Sequence, residues 1–294
     1  MASVLAAASQ RARLTGELVA FPHTLFALPF AVMGMFLGAA GSPTAHQALW
    51  IVAAMAGART AAMCFNRIAD RDIDAANPRT AARPLPSGRL TVDWAWRVLA
   101  GAVALFVGAC AALSQTCLIL SPVALAIVLG YSYTKRVTSL SHVALGLALA
   151  IAPVGAWIAV DGPASWAPVL LAAAVLTWTA GFDIIYACQD VGFDRAQGLR
   201  SIPAALGVAR ALRVSSALHV GMVAALAAVP WAVAPRAELS WIYFGGVALT
   251  AGVLVHEHRI VSADDLSRVN RAFFTLNGWV SVILCAATVA DLLL

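Results

Sequence analysis

Residues 165–188 read SWAPVLLAAAVLTWTAGFDIIYAC, and their only charged side chain is Asp183. A run this long and apolar matches the roughly 20 residues that a helix needs to cross about 30 Å of hydrocarbon. Working outward in both directions, comparable stretches lie near 18–41, 47–66, 94–113, 117–134, 140–160, 212–234, 239–256 and 272–293. The pattern predicts an all-α polytopic membrane protein with nine transmembrane helices in a single domain covering 1–294. Composition agrees, with 62% hydrophobic and 11% charged residues in 294. An ordinary soluble domain carries roughly 25% charged residues, and so few charges could not wet a soluble globule of this size. The same numbers exclude a disordered chain, a coiled coil, collagen and a disulfide-stapled secreted fold.

The five cysteines (Cys64, Cys110, Cys117, Cys188 and Cys285) are scattered, odd in number and contain no CxxC pair. They form neither a disulfide framework nor a zinc site. The run Val4–Ala8 is too short for the apolar core of a signal peptide and precedes Arg11 and Arg13 instead of following them. The N-terminus therefore reads as a short cytoplasmic lead.

Positive charge sets the orientation. Arg11, Arg13, Arg67, Arg71, Arg79, Arg83, Arg89, Lys135, Arg136, Arg195, Arg200, Arg210, Arg213, Arg259, Arg268 and Arg271 fall on one side, and Arg236 alone on the other. Arg59 and Arg97 lie within or at the start of predicted helices. The positive-inside rule makes the rich side cytoplasmic. The formal charge of +5 thus follows the membrane and signals no nucleic-acid partner. The two long loops, 67–93 and 189–211, are both on this side and full of charge, so chemistry is expected there.

The first loop opens Asn66-Arg67-Ile68-Ala69-Asp70-Arg71-Asp72-Ile73-Asp74. Asn66, Asp70 and Asp74 repeat at i, i+4, i+8 and form one stripe on a continuing helix. The second runs from Asp183 through Tyr186 to Asp190 and Asp194, again with i, i+4 spacing. Like charges at this spacing destabilise a helix, so two such clusters call for a counter-charge. Hard oxygen ligands suit Mg²⁺, which typically takes one or two carboxylates plus phosphate oxygens and water. Nearby arginines suit phosphate oxygens. Two Mg²⁺–carboxylate clusters, bridged by a diphosphate under a basic lid, are the expected site.

Asn66-xxx-Asp70-xxx-Asp74 and Asp183-xx-Tyr186-xxx-Asp190-xxx-Asp194 together resemble the signature of the UbiA superfamily of intramembrane prenyltransferases. The likeness extends to His23–Phe30, to Asn77-Pro78-Arg79-Thr80 followed by Arg83-Pro84-Leu85-Pro86-Ser87-Gly88, and to Tyr131-Ser132-Tyr133-Thr134-Lys135-Arg136. It is nearest to the bacterial 4-hydroxybenzoate polyprenyltransferase branch, including menaquinone-type relatives. The first motif reads Asn66-Arg67 where some members have Asp-Asp, so Asn66 is a weaker metal ligand than Asp70 and Asp74. Asp72 breaks the stripe and receives no role.

The resemblance implies nine helices around a central cavity in a bacterial cytoplasmic (inner) membrane. It implies Mg²⁺-dependent transfer of a polyprenyl group from polyprenyl diphosphate to an aromatic carboxylic acid, for ubiquinone or menaquinone. Asp70, Asp74, Asp190 and Asp194 would hold the metal, with Asn66 beside them. Arg67, Arg71, Arg79 and Arg83 would grip phosphate oxygens, and Lys135 and Arg136 would meet an acceptor carboxylate. Tyr186 and Phe182 could face the allylic cation through their rings. No protein partner is expected.

Arg59 and Asp183 are both placed inside the membrane, where an ionisable group is costly and functional by default. Each lies seven residues before its motif, about two turns or roughly 10 Å, so both point into one cavity. Arg59 would orient an anionic acceptor; a purely structural ion pair between the two is the competing reading. His23 and His142 read as hydrogen-bonded structural residues. A naphthoate-type acceptor is the nearest alternative function. A CDP-alcohol phosphatidyltransferase would need D-x2-D-G-x2-A-R, which is not present. A transporter of organic ions would leave two carboxylate pairs at corresponding helix ends unexplained, and shows no inverted repeat.

Overall fold

The computed structural model describes residues 2–19 and 27–294, with backbone only for 2–8. In chain order the helices are α1 (Ala2–Leu18), α2 (Leu28–Ala39), α3 (Ala45–Ala69), α4 (Arg71–Ala76), α5 (Val92–Leu113), α6 (Gln115–Gly130), α7 (Ser141–Ala159) and α8 (Ala167–Ala187). There follow α9 (Val191–Ala196), α10 (Ile202–Leu206), α11 (Val208–Val233), α12 (Trp241–Ile260), α13 (Val269–Arg271) and α14 (Asn277–Leu293). The described residues are otherwise turns and short 3₁₀ or π segments, with no strand among them.

Among the described residues, seven helical segments are long and apolar enough to cross a membrane: α3, α5, α6 continued to Arg136, α7, α8 continued through α9, α11, and α14 with the turns that precede it from Val269. The remaining two of the nine expected spans differ. The 18–41 span appears as the 12-residue α2, with residues 20–26 of that prediction, His23 included, outside the described residues. The 239–256 span corresponds to α12, whose end carries His256, Glu257, His258 and Arg259, so it is less apolar than the others. The N-terminal lead forms a helix of its own, α1. Leu14 and Leu18 bury against Leu85, Leu90 and Leu99, and the Arg89 guanidinium donates to Glu17 Oε2 at 2.9 Å. The apolar residues of α1 form no long run, so its sequence carries no membrane-span signal.

The helices form a ring. Contacts run α3 to α5, α6, α7, α8, α11, α12 and α14, and α14 closes on α2, which lies against α3 and α7. Small residues permit close approach, as expected where lipid removes the hydrophobic drive between helices. A Cβ at Gly146 of α7 would lie 2.5 Å from the Leu176 carbonyl oxygen of α8. Local signals set the helix starts. Thr44 and Gln47 form a reciprocal capping box for α3, and Thr91, Ser114 and Ser201 accept from N–H groups at the starts of α5, α6 and α10. The largest apolar cluster, around Trp178, Phe182 and Phe273, lies between α2, α8, α11, α12 and α14. It stands behind one wall of the site.

Candidate active site

Both aspartate motifs fall where a long helix breaks. Helix α3 ends and α4 begins at Asp70, with φ −94° and ψ 4°; α9 begins after Asp190, with φ −102° and ψ 5°. The first break is slight, because Asp70 N–H still donates to Asn66 O at 2.8 Å and Asp74 N–H to Asp70 O at 2.7 Å. The stripe therefore survives. Asn66, Asp70, Asp74, Asp183, Tyr186, Asp190 and Asp194 all line one cavity of about 280 Å³.

The carboxylates are met by cations from distant segments. Asp70 Oδ2 accepts from Lys135 Nζ at 2.7 Å and from Asn66 Nδ2 at 3.0 Å. Arg136 Nη2 lies 3.7 Å from Asp70 Oδ1 and also donates to the Ala69 carbonyl. Asp74 takes Arg83 Nη1 on both oxygens, at 2.7 and 2.8 Å, with Arg67 Nη1 at 3.8 Å. Asp190 is gripped by Arg79 through Nε at 3.0 Å and Nη2 at 2.5 Å, and by Asn77 Nδ2 at 3.2 Å. Arg79 Nη1 donates to the Tyr186 hydroxyl at 2.7 Å. Burial alone would lower the Arg79 pKa, but the bonds to Asp190 and Tyr186 outweigh it and hold the guanidinium above its ordinary value. Asp194 accepts only from Ser201 Oγ, at 2.8 Å, and makes no salt bridge among the described residues.

Arg59 and Asp183 line the same cavity, but they form no ion pair. Asp183 Oδ2 instead lies 2.7 Å from His142 Nδ1, while Arg59 Nε is buried with no hydrogen-bond partner. The pairing failed as a sequence reading because α7, which carries His142, intervenes between α3 and α8. Arg59 and Tyr131 also line a second cavity of about 280 Å³, enclosed by apolar side chains of α3, α5, α6 and α7 such as Ala54, Phe106, Leu120 and Ala152. The two cavities meet at these two residues and Leu145, which also lines both.

Arg67, Arg79, Arg83 and Lys135 line the polar cavity. Arg71 does not; it is exposed and pairs with Asp72 at 3.0 Å. Arg136 reaches Asp70 from outside the lining. Phe182 is buried in the wall, edge-on to Trp178 and Phe273, while Phe273 itself lines the cavity and stacks on Tyr186 at 4.2 Å. Asn77, Tyr131, Ser201 and Phe273 received no role from the sequence. Ser201-Ile202-Pro203 carries a helix-start signal that placed it locally; nothing local could bring it to Asp194.

The donor set fits a hard divalent cation. Asp70 Oδ1 is buried without a hydrogen-bond partner. No three His, Cys, Asp or Glu side chains among the described residues converge into a complete cage, as expected where Mg²⁺ takes few carboxylates and shares its coordination with phosphate oxygens and water.

The family model described as the UbiA prenyltransferase family matches residues 27–279. The 4-hydroxybenzoate octaprenyltransferase of Tolumonas auensis is 31% identical over 263 residues, covering 90% of this chain and 90% of that protein. The apo structure of a UbiA homolog from Aeropyrum pernix K1 is 39% identical, with a TM-score of 0.82, covering 92% of this chain and 98% of that one. A UbiA homolog from Archaeoglobus fulgidus, bound to DMAPP and Mg²⁺, shares the fold with a TM-score of 0.74 at 21% identity, covering 95% and 98%.

Proposed function

The chain belongs to the UbiA prenyltransferase family, and from that premise we propose that it transfers a polyprenyl group from polyprenyl diphosphate to an aromatic acid such as 4-hydroxybenzoate. The proposal includes dependence on Mg²⁺ and a place in respiratory quinone biosynthesis. It puts the protein in the bacterial cytoplasmic membrane, with the N-terminus and the site facing the cytoplasm. The observation that carries it is the junction at Arg59, Tyr131 and Leu145 between a cavity lined by motif carboxylates and basic side chains and a second, apolar cavity. A diphosphate and an isoprenoid tail need these two environments end to end.

Asp70, Asp74, Asp190 and Asp194 would hold the metal, with Asn66 beside them. When bound, it neutralises the diphosphate and makes it a better leaving group. Arg67, Arg79, Arg83 and Lys135 then exchange carboxylate partners for phosphate oxygens. Arg59, which lines both cavities and forms no ion pair among the described residues, would meet the carboxylate of the acceptor. The apolar walls keep water from the allylic cation, which it would quench, while Tyr186, with the Arg79 guanidinium over its ring, and Phe273 line the polar cavity beside it.

The test is an assay of the purified protein in lipid, with geranyl to octaprenyl diphosphates against hydroxybenzoate and naphthoate acids, with and without Mg²⁺. Transfer to 4-hydroxybenzoate that stops in EDTA is expected. Full transfer in EDTA, or none to any aromatic acid, would overturn the reading. Cysteine labelling at 78–88 from the cytoplasmic side only, and at 161–164 from outside only, is expected; the reverse overturns the orientation.

A further inference from the structure

His142 is buried in the wall of the polar cavity, and both of its ring nitrogens are occupied. The backbone N–H of Ile202 donates to Nε2 at 3.3 Å. A backbone amide can only donate, so Nε2 is the lone-pair nitrogen and Nδ1 carries the ring proton. That proton points at Asp183 Oδ2, 2.7 Å away. The imidazole is thus a spacer of fixed tautomer, joining α7, α8 and the start of α10. Ser201, adjacent to Ile202, bonds Asp194, so one histidine links the second metal motif to the carboxylate deeper in the cavity. Asp183 Oδ1 makes no hydrogen bond among the described residues, and the Asp183 side chain lines the cavity that Arg59 also lines.

We propose that Asp183 accepts the proton that the acceptor ring loses, and that His142 is the positioning residue that aims it. The inference rests on the aromatic-acceptor reading above. In the step, the ring carbon forms a bond to C1 of the prenyl group as the C1–oxygen bond breaks, and diphosphate leaves with that electron pair. The proton on the attacked ring carbon passes to Asp183 Oδ1, the C–H electrons restore the aromatic ring, and the carboxyl later returns the proton to water. An imidazole with both nitrogens engaged cannot itself take the proton. Its role resembles that of an orienting group in a hydrogen-bonded catalytic pair, in which one partner holds the other in position.

The experiment uses full-length protein in lipid, with 4-hydroxybenzoate deuterated or not at the positions beside the hydroxyl. Wild-type transfer to this acid is the control, and its failure would count against the proposed function instead. Given that transfer, Asp183→Asn should lower kcat by about 100-fold or more, the scale of a lost general base, and should reveal a primary isotope effect larger than the wild type's. Two histidine variants separate the two bonds. His142→Asn keeps an N–H near the Nδ1 position, whereas His142→Gln keeps an acceptor near Nε2 and loses the donor to Asp183. His142→Gln should therefore lose about 10- to 100-fold in kcat, the weight of a hydrogen bond to a charged group, and more than His142→Asn loses. The KM for prenyl diphosphate should stay near the wild-type value in both. A wild-type isotope effect in Asp183→Asn overturns the proposal, and so does an equal loss in the two folded histidine variants. If neither histidine variant folds, the isotope effect in Asp183→Asn decides alone.

Discussion

The two aspartate motifs share a backbone and differ in how their charge is balanced. Each has an aspartate at a helix break, with another one turn on. In the first, Asp70 and Asp74 are buried and each has two cations within 4.0 Å, Lys135 with Arg136 and Arg83 with Arg67. In the second, Asp190 has Arg79 alone and Asp194 has only a serine hydroxyl. The first motif is thus the more heavily countered by cations, while the second has a single ion pair, at Asp190, and burial raises the pKa of Asp194. The difference implies a division of labour. The second motif should depend on metal, and the first should also hold the cytoplasmic loops together.

The largest effect expected concerns metal-dependent chemistry. Asp190→Ala or Asp194→Ala should lower transfer by about 100- to 1,000-fold, the scale of removing one group that stabilises transition-state charge. The protein should remain folded in lipid, and Asp194→Asn should raise the Mg²⁺ concentration needed for half-maximal rate. Turnover and Mg²⁺ titration check both. Full activity in Asp190→Ala would break the comparison outright.

The next effect is on stability and should run the other way. Asp74→Ala leaves Arg67 and Arg83 unpaired, and Asp74 itself is buried. Opening a fully buried pair from one side costs roughly 3–5 kcal/mol, and a smaller cost is expected here because solvent reaches the Arg83 side chain, 27% exposed. Asp194→Ala removes one hydrogen bond from a hydroxyl, worth about 1 kcal/mol. Thermal unfolding in detergent should therefore separate the two variants clearly, with Asp74→Ala the less stable. Equal midpoints would remove the structural half of the argument.

Seven of the nine expected spans and the i, i+4 stripes were legible because both follow from short-range rules, apolar length and helical period. The central cavity was expected from the family resemblance, and the stripes agree with it because both motifs line one cavity. What the sequence could not disclose is which cation meets which carboxylate. Arg79 reaches Asp190 across 111 positions and Lys135 reaches Asp70 across 65, and those pairings are set by how loops fold back over the helix ends. The Arg59–Asp183 pair failed for the same reason. Equal spacing from two motifs put both residues at one depth, but depth does not specify which neighbour stands between. Helix α1 was missed because its burial depends on a surface that the rest of the chain builds.

Arg59 offers an intermediate effect. With no ion pair to Asp183, Arg59→Ala should raise the acceptor KM by about 10- to 100-fold, the weight of a charge-assisted hydrogen bond, with little change for prenyl diphosphate. The double variant Arg59→Leu with Asp183→Leu should be inactive, because each residue acts separately. Recovery of wild-type turnover in that variant would end the assignment of both residues.

The smallest effect sharpens the comparison by what does not change. Arg71 lies inside the first motif, between Asp70 and Asp72, and its position among the carboxylates suggests a phosphate ligand. Its side chain is 49% exposed and pairs with Asp72, whose side chain is 89% exposed, and it takes no part in the cavity wall. Exposed pairs of this kind contribute about 0–1 kcal/mol. Arg71→Ala should therefore leave kcat and both KM values within about twofold of wild type. Arg83→Ala, nine residues beyond Asp74, should weaken prenyl diphosphate binding markedly, because it removes a charge that lines the cavity and grips Asp74 with two short bonds. Parallel saturation curves for the two variants check the contrast. If Arg71→Ala were as damaging as Arg83→Ala, the positive field of the loop as a whole would govern binding, and the cation-by-cation pairing that distinguishes the motifs would lose its functional meaning.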